Sequence, residues 1–314
     1  MMKTMKTHGR VNRAGAFALA LTLLVAGGWS QASQAGEVTL TKSATGVTVQ
    51  IDGQPFTALS TSKDFAKPFF HPVHAADGAV VTRVIENPED HPHHKGIWFT
   101  LDEVSGLNFW AEKARVETQS VEIVQPSGDV ATIRYVSHWL KDDGQPLLEE
   151  TTETKIYPNR LMTFDFTLKA VSTPVHFEDT KEGMFGIRLP NGMREKETGK
   201  VVNAEGLKGT KECWGKESAW VDYSGEVGGK VYGVTLLDHP ANFRKSRYHV
   251  RDYGLFSVSP FGPHAYTNGT EPEAPVTIEA GQTVRLRYGL FVHSGDAEAG
   301  HVAEAAAKYL DLTK

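Results

Sequence analysis

The feature that most constrains this chain is a texture of short alternating runs, each closed by Gly, Pro, Asn or Asp, from about Glu37 almost to the C-terminus. Side chains alternate faces along a strand, so an apolar–polar period of two marks a strand with one face buried. Val47-Thr48-Val49-Gln50-Ile51 is such a run. Asp52-Gly53 after it supports the positive φ angles of a tight hairpin turn, so Phe56 to Ser60 is expected to pair with it. Arg115 to Val124, Val130 to Leu140, Leu147 to Ile156 and Arg160 to Ala170 repeat the texture, with turns at Pro126-Ser127-Gly128-Asp129 and Asp142-Asp143-Gly144. Gly183 to Leu189, Lys230 to Leu237, Leu255 to Val258 and Thr283 to His293 carry it onward. Lys67 to Val73 is apolar but holds two prolines, which predicts an edge strand or a loop. Glu298 to Leu312 reads as a helix, Ala-rich and with Asp296 placed to cap it. Many strands without βα alternation predict an all-β chain, a large antiparallel two-sheet sandwich with a short C-terminal helix. Two small sandwiches joined near Ser172-Thr173-Pro174 are the alternative arrangement.

The first 35 residues read as a leader. Lys3, Lys6, Arg10 and Arg13 precede an apolar run, Ala14 to Gly28, and Ser33-Gln34-Ala35 offers a cleavage site. The run is too short for a stable membrane anchor, so residues 1–35 are expected to be a signal peptide and 36–314 a single β-sandwich domain, periplasmic or secreted. The leader holds four of the 33 basic residues and no acidic ones, leaving 29 basic against 38 acidic, a net charge near −9. An acidic exported protein is a poor partner for nucleic acid or an anionic membrane surface. Cys213 is the one cysteine, so no internal disulfide can form.

Four stretches carry residues suited to chemistry. In Glu86 to Glu112, His91, His93 and His94 crowd around Pro92 ahead of the strand-like Ile97-Trp98-Phe99-Thr100-Leu101. Parity puts Ile97, Phe99 and Leu101 on one face and Gly96, Trp98 and Thr100 on the other, with His94 joining Trp98 if the extension reaches back. Gly96 would then leave an opening between imidazole and indole for a ring stacked on Trp98. His91 and His93 are the pair to consider for a metal, since His-x-His on an extended segment can chelate. The second stretch, Phe177 to Leu189, points Phe185, Ile187 and Leu189 to the core and Glu182, Gly186 and Arg188 to the other face. Glu182 and Arg188, six residues apart on a continuous strand, would be separated by roughly 20 Å, and each needs another partner. The third, Glu212 to Tyr223, offers Trp214, Trp220 and Asp222, since indole faces stack on sugar rings and carboxylates accept from hydroxyls; core packing explains the tryptophans as well. The fourth contributes His239 and Asn242, then His249, Arg251 and Tyr253, which form a polar comb if extended. The plainer explanations are a turn fixed by Pro92 with histidines capping backbone groups in the first stretch, a solvated edge with incidental charges in the second, and solvated side chains on an exposed sheet face in the fourth.

Taken together, DHPHHKGIWF, LNFWAE, KEGMFGIRL, CWGKESAWVDYSG, GVTLLDHPANFR and YHVRDYGLFSVSPFG resemble the exported bacterial PmoA-like family, catalogued as "methane oxygenase PmoA", over nearly the whole mature chain. The resemblance implies a β-sandwich similar to the galactose-mutarotase supersandwich and a small-molecule carbohydrate as partner. Lys95 stands where that family suggests Arg, which keeps a cation and loses bidentate recognition. The reading that follows is a periplasmic carbohydrate-active enzyme of epimerase, lyase or hydrolase type working by acid–base chemistry. Its proton-moving candidates are His93, His94, Glu182, His239 and His249; its substrate-binding candidates are Trp98, Arg188, Trp214, Asp222, Asn242, Arg251 and Tyr253. A non-catalytic sugar-binding protein and a His-ligated metalloenzyme with oxidative activity are the alternatives, and the sequence names no other cofactor.

Overall fold

Two large antiparallel sheets face one another across a core of aromatic and branched side chains. The computed structural model describes residues 36–314, and the expected leader lies outside them. The first sheet has nine strands, in the spatial order Arg247–Val250, Leu255–Ser259, Phe185–Arg188, Ile97–Phe99, Phe69–Phe70, Gln54–Ser60, Gly46–Ile51, Val38–Ser43 and Ser127–Gly128. The second has eight, in the order Lys200–Asn203, Trp220–Val227, Lys230–Asp238, Thr283–Ser294, Leu161–Ala170, Pro146–Ile156, Ala131–Leu140 and Val116–Gln125. This is the all-β two-sheet sandwich that the alternation predicts. The hairpin at Asp52-Gly53 forms as expected, with φ of 51° and 74° at the two turn residues and Ile51 paired with Gln54.

Three local expectations need correction. Phe69–Phe70 is an interior strand, paired with Gln54–Ser60 on one side and Ile97–Phe99 on the other. Pro68 and Pro72 bracket it, so neither falls within the paired residues. The helix begins later than predicted, at Val302, and Asp296 instead accepts from the Ala299 N–H in the turn before it. Lys200–Asn203, Trp220–Val227 and Arg247–Val250 are additional strands in stretches read mainly for their chemistry.

The short strands of the first sheet separate core from site by parity. Phe185 and Ile187 face the interior with Phe99, Ile97 and Phe166, while Trp98, Phe69 and Leu255 belong to a separate cluster on the outer face, with Trp110. Gly186 keeps that outer face shallow: a Cβ there would lie 3.1 Å from Ser257 and 3.3 Å from the Trp98 ring. Gly96 is fixed by backbone instead, because its φ is +54° and a Cβ would overlap the Phe70 carbonyl oxygen. Among the described residues no helix is long and apolar enough to cross a membrane.

Candidate functional site

The outer face of the first sheet, roofed by the Asp90–Lys95 loop, gathers most of the predicted residues. Four rings form a column there: Trp98 stacks on His94 at 5.2 Å between centroids, His94 on His91 at 4.8 Å, and His91 on Tyr253 at 5.1 Å. The parity argument that aligned His94 with Trp98 holds, but the opening between them does not exist, because the two rings are in contact.

Arg188 braces the column. Its guanidinium donates to Asp90 at 2.8 and 3.0 Å and to His94 Nδ1 at 3.1 Å, and lies over the Tyr253 ring at 4.8 Å. An arginine can only donate, so His94 Nδ1 holds a lone pair and the ring proton sits on Nε2, which is buried without a partner among the described residues. Burial, with His93 and Arg188 close by, pushes the His94 pKa far below its ordinary value and keeps the ring neutral. Asp90 is the hub: it also accepts from Arg83, and His91 Nδ1 lies 3.3 Å from its Oδ1. Its partial burial is outweighed by Arg188, which holds its pKa at about 2. Beside the column, Lys67 and Lys95 clamp Glu112 at 3.1 and 2.6 Å. Burial drags Lys67 down to about 8, and burial next to Lys67 brings His93 to about 4.

Across the mouth stands Glu182. Its carboxylate lies 3.9 Å from His249 Nδ1, and the Lys181 carbonyl before it accepts from His249 Nδ1 at 2.9 Å and from the Tyr266 hydroxyl at 2.9 Å. A carbonyl cannot donate, so His249 carries its proton on Nδ1. Burial lowers the His249 pKa to about 4, so the ring is neutral at pH 7. Burial raises Glu182 above the usual carboxylate range, against the opposing charges of Lys181, Arg251 and His91. Arg251 reaches over Tyr253 at 5.7 Å, and Trp214 meets the His249 ring edge-on at 6.2 Å. A groove lined by Trp214, Lys211, Arg251 and Asp252 runs out from this side. The polar comb thus survives in altered form. His249 ends a strand at Val250, while Arg251 and Tyr253 lie in the turn closed by the Gly254 N–H on the Arg251 carbonyl.

The structure separates or re-assigns several predicted residues. Asp222 is on the outer face of the second sheet, bound to His293 Nε2 at 2.8 Å and Thr235 Oγ1 at 2.7 Å. Asn242 is spent on Asp238 and the backbone of Arg287, and His239 packs edge-on against Tyr309 of the C-terminal helix. These three belong to the far sheet and not to this mouth. His94, Trp98 and Arg188 are in the right place but are only 1%, 2% and 1% exposed, so they position other groups and present no face to a substrate. Glu182 and Arg188 do not share a continuous strand, because pairing begins at Phe185. Sequence reasoning missed Asp90, Lys67, Glu112 and Asp102, whose like charge helps to raise the Glu182 pKa. Asp90 adjoins the histidines and was legible as their counter-charge, whereas nothing local in the sequence ties Lys67 to a loop 26 residues away.

The donor set does not suit a metal. Among the described residues no three His, Cys, Asp or Glu side chains are grouped as ligands would be. The cations Lys67 and Arg188 act directly on His93 and His94, and His94 Nδ1 is already occupied.

With the geometry in hand, sequence comparison places the chain. A family model described as "Family of unknown function (DUF6807)" matches residues 46–307. The chain belongs to DUF6807. No curated protein matches it in sequence. Among solved structures it is similar to a β-arabinopyranosidase (13% identity, TM-score 0.35, over 82% of this chain and 38% of that one). It is also similar to the galactose 1-epimerase of Lactobacillus acidophilus NCFM (6%, TM-score 0.41, 82% and 98%) and to a galactose mutarotase-like protein of Lactobacillus casei ATCC 334 (9%, TM-score 0.39, 82% and 100%). The DUF6807 chain thus spans under two fifths of the β-arabinopyranosidase's length. The PmoA-like resemblance has no counterpart among these matches.

Proposed function

We propose that this DUF6807 protein is an exported, periplasmic enzyme that moves protons on a bound saccharide. Glu182 and His91 are the acting pair, and Arg251 and Tyr253 hold the sugar. The observation that carries the reading is the opposition of two differently held groups at one mouth. Glu182 is a partly buried carboxyl with its pKa raised, and His91 is a half-exposed imidazole whose Nδ1 is engaged by Asp90. With Nδ1 so engaged, Nε2 is the His91 nitrogen left to exchange a proton with substrate, the arrangement that orients a general base or acid. A carboxyl with its pKa drawn toward neutrality can give and recover a proton within one cycle. Tyr253 adds an aromatic surface and a hydroxyl, and Arg251 a cation able to polarise a ring or carbonyl oxygen. His93, half-buried and neutral, borders the same mouth.

The test is turnover followed by proton NMR on a panel of mono- and disaccharides in deuterated buffer, where proton exchange at a sugar carbon is read directly. Glu182→Gln and His91→Ala should each lower turnover by about 10²–10⁴-fold while the circular dichroism spectrum stays unchanged. Full turnover in both folded variants sinks the assignment. Binding of a sugar without exchange or conversion over days would favour a non-catalytic sugar-binding protein at the same mouth.

A further inference from the structure

We infer that the saccharide bound here carries an anionic group, a carboxylate or a sulfate ester. This deepens the proposed function and rests on it. The wall behind the histidines is built from two trios, and in each one carboxylate serves two cations. Asp90 is shared by Arg83 and Arg188, and Glu112 by Lys67 and Lys95. Each trio therefore carries one positive charge in excess. The four cationic side chains are between 1% and 12% exposed, so solvent screens them poorly. His93 and His94, whose pKa values burial lowers, are neutral and cancel nothing. At the rim the charges are mixed: Lys181 and Arg251 stand against Glu182 and Asp102, and Glu89 acts on Arg83 from a distance. The excess thus lies in the floor, in a chain whose residues beyond the leader are acidic overall.

Holding unmatched charge out of water is costly, and sharing each carboxylate between two cations maintains that cost. A second observation points the same way. His94 Nε2, Trp98 Nε1 and the Arg188 Nε are buried N–H donors on this wall with no acceptor among the described residues; out of a ligand's reach, they add unneutralised positive partial charge to the same field. An anion at the mouth, near His91, His93 and Arg251, would lie in the field of both trios and would be favoured over a neutral sugar of the same shape.

Isothermal titration of the full mature chain with glucose, galactose, glucuronate, galacturonate and glucose 6-sulfate decides it. The acidic sugars should bind about tenfold more tightly than their neutral parents at low salt, and the preference should shrink towards none in about 0.5 M NaCl. Lys95→Gln removes one charge of the wall at its most exposed member. It should cut the preference several-fold and leave affinity for the neutral sugars unchanged. If that variant does not fold, Arg251→Gln, on an exposed side chain, should reduce the preference in its place. Tighter binding of the uronates assigns a carboxylate, and tighter binding of the 6-sulfate assigns an ester. Equal affinity for neutral and acidic sugars overturns the inference while leaving the proposed function intact. Failure of every sugar to bind overturns both.

Discussion

Each sheet carries buried histidines on its outer face beside carboxylates, and the two faces treat them in opposite ways. On the second sheet Asp222 and His293 pair one to one at 2.8 Å, with Thr235 donating to the same oxygen. Burial would lower the His293 pKa, but the Asp222 carboxylate outweighs it and the pKa rises. On the first sheet Asp90 and Glu112 are already taken by arginines and lysines. Burial then acts on His93, His94 and His249 with little opposition, and all three pKa values fall. A matched pair fastens the fold. Carboxylates shared among cations leave neutral imidazoles and unspent charge, which is what a binding surface needs and a stable core does not.

The sharpest way to break this comparison is catalytic. Glu182→Gln and His91→Ala should lower turnover by about 10²–10⁴-fold, and Asp222→Asn on the far sheet should not lower it measurably. Next in size is Arg188→Met, which strips Asp90 and His94 of a fully buried partner. Asp90 is partly solvated, so the loss in urea denaturation should be about 2 kcal/mol, below the full cost of breaking a buried pair, and Arg188→Lys should not restore the bidentate contact. Asp222→Asn should cost about 1 kcal/mol, with a pH signature that separates the two faces. The folded-state pKa of His293 is raised, so its contribution is complete below the unfolded value of about 6.5 and is lost as pH rises through the folded value. The stability gap between wild type and Asp222→Asn should therefore be wide at about pH 5.5 and narrow by about pH 8.5, measured by urea midpoints. The histidines of the first sheet have lowered pKa values and give the reverse slope: their neutral forms favour the fold above the unfolded value, and that advantage fades as pH falls through it towards about 4. Smallest is Gly186→Ala, which asks Ser257 and the Trp98 ring to give way by a few tenths of an ångström. It should cost about 1 kcal/mol in thermal or urea denaturation.

Much of this was readable in one dimension. Period-two alternation placed Phe185, Ile187, Ile97 and Phe99 in the core, and Trp98 and Arg188 on the opposite face, because strand parity is a local property. The crowding of His91, His93 and His94 pointed to the candidate site because it too is local in sequence. Pairing partners were not readable. Whether Arg188 meets Asp90 or a substrate depends on a contact across 98 residues, and residue type alone could not show that Asp222 faces the far sheet. His239 and Asn242 misled because the chemistry of their side chains suits backbone bracing as well as it suits ligands.

The four-residue strand Phe185–Arg188 has a further consequence. Interior and exterior duties alternate along it one residue at a time, so one extra residue after Met184 would exchange them. The Phe185 ring and the Ile187 side chain would turn to the outer face, and a guanidinium would be driven between the sheets. Length changes that relatives accumulate in the flanking loops should therefore stop short of this segment, and ligand preference should diverge through the loops above it while the strand stays as it is.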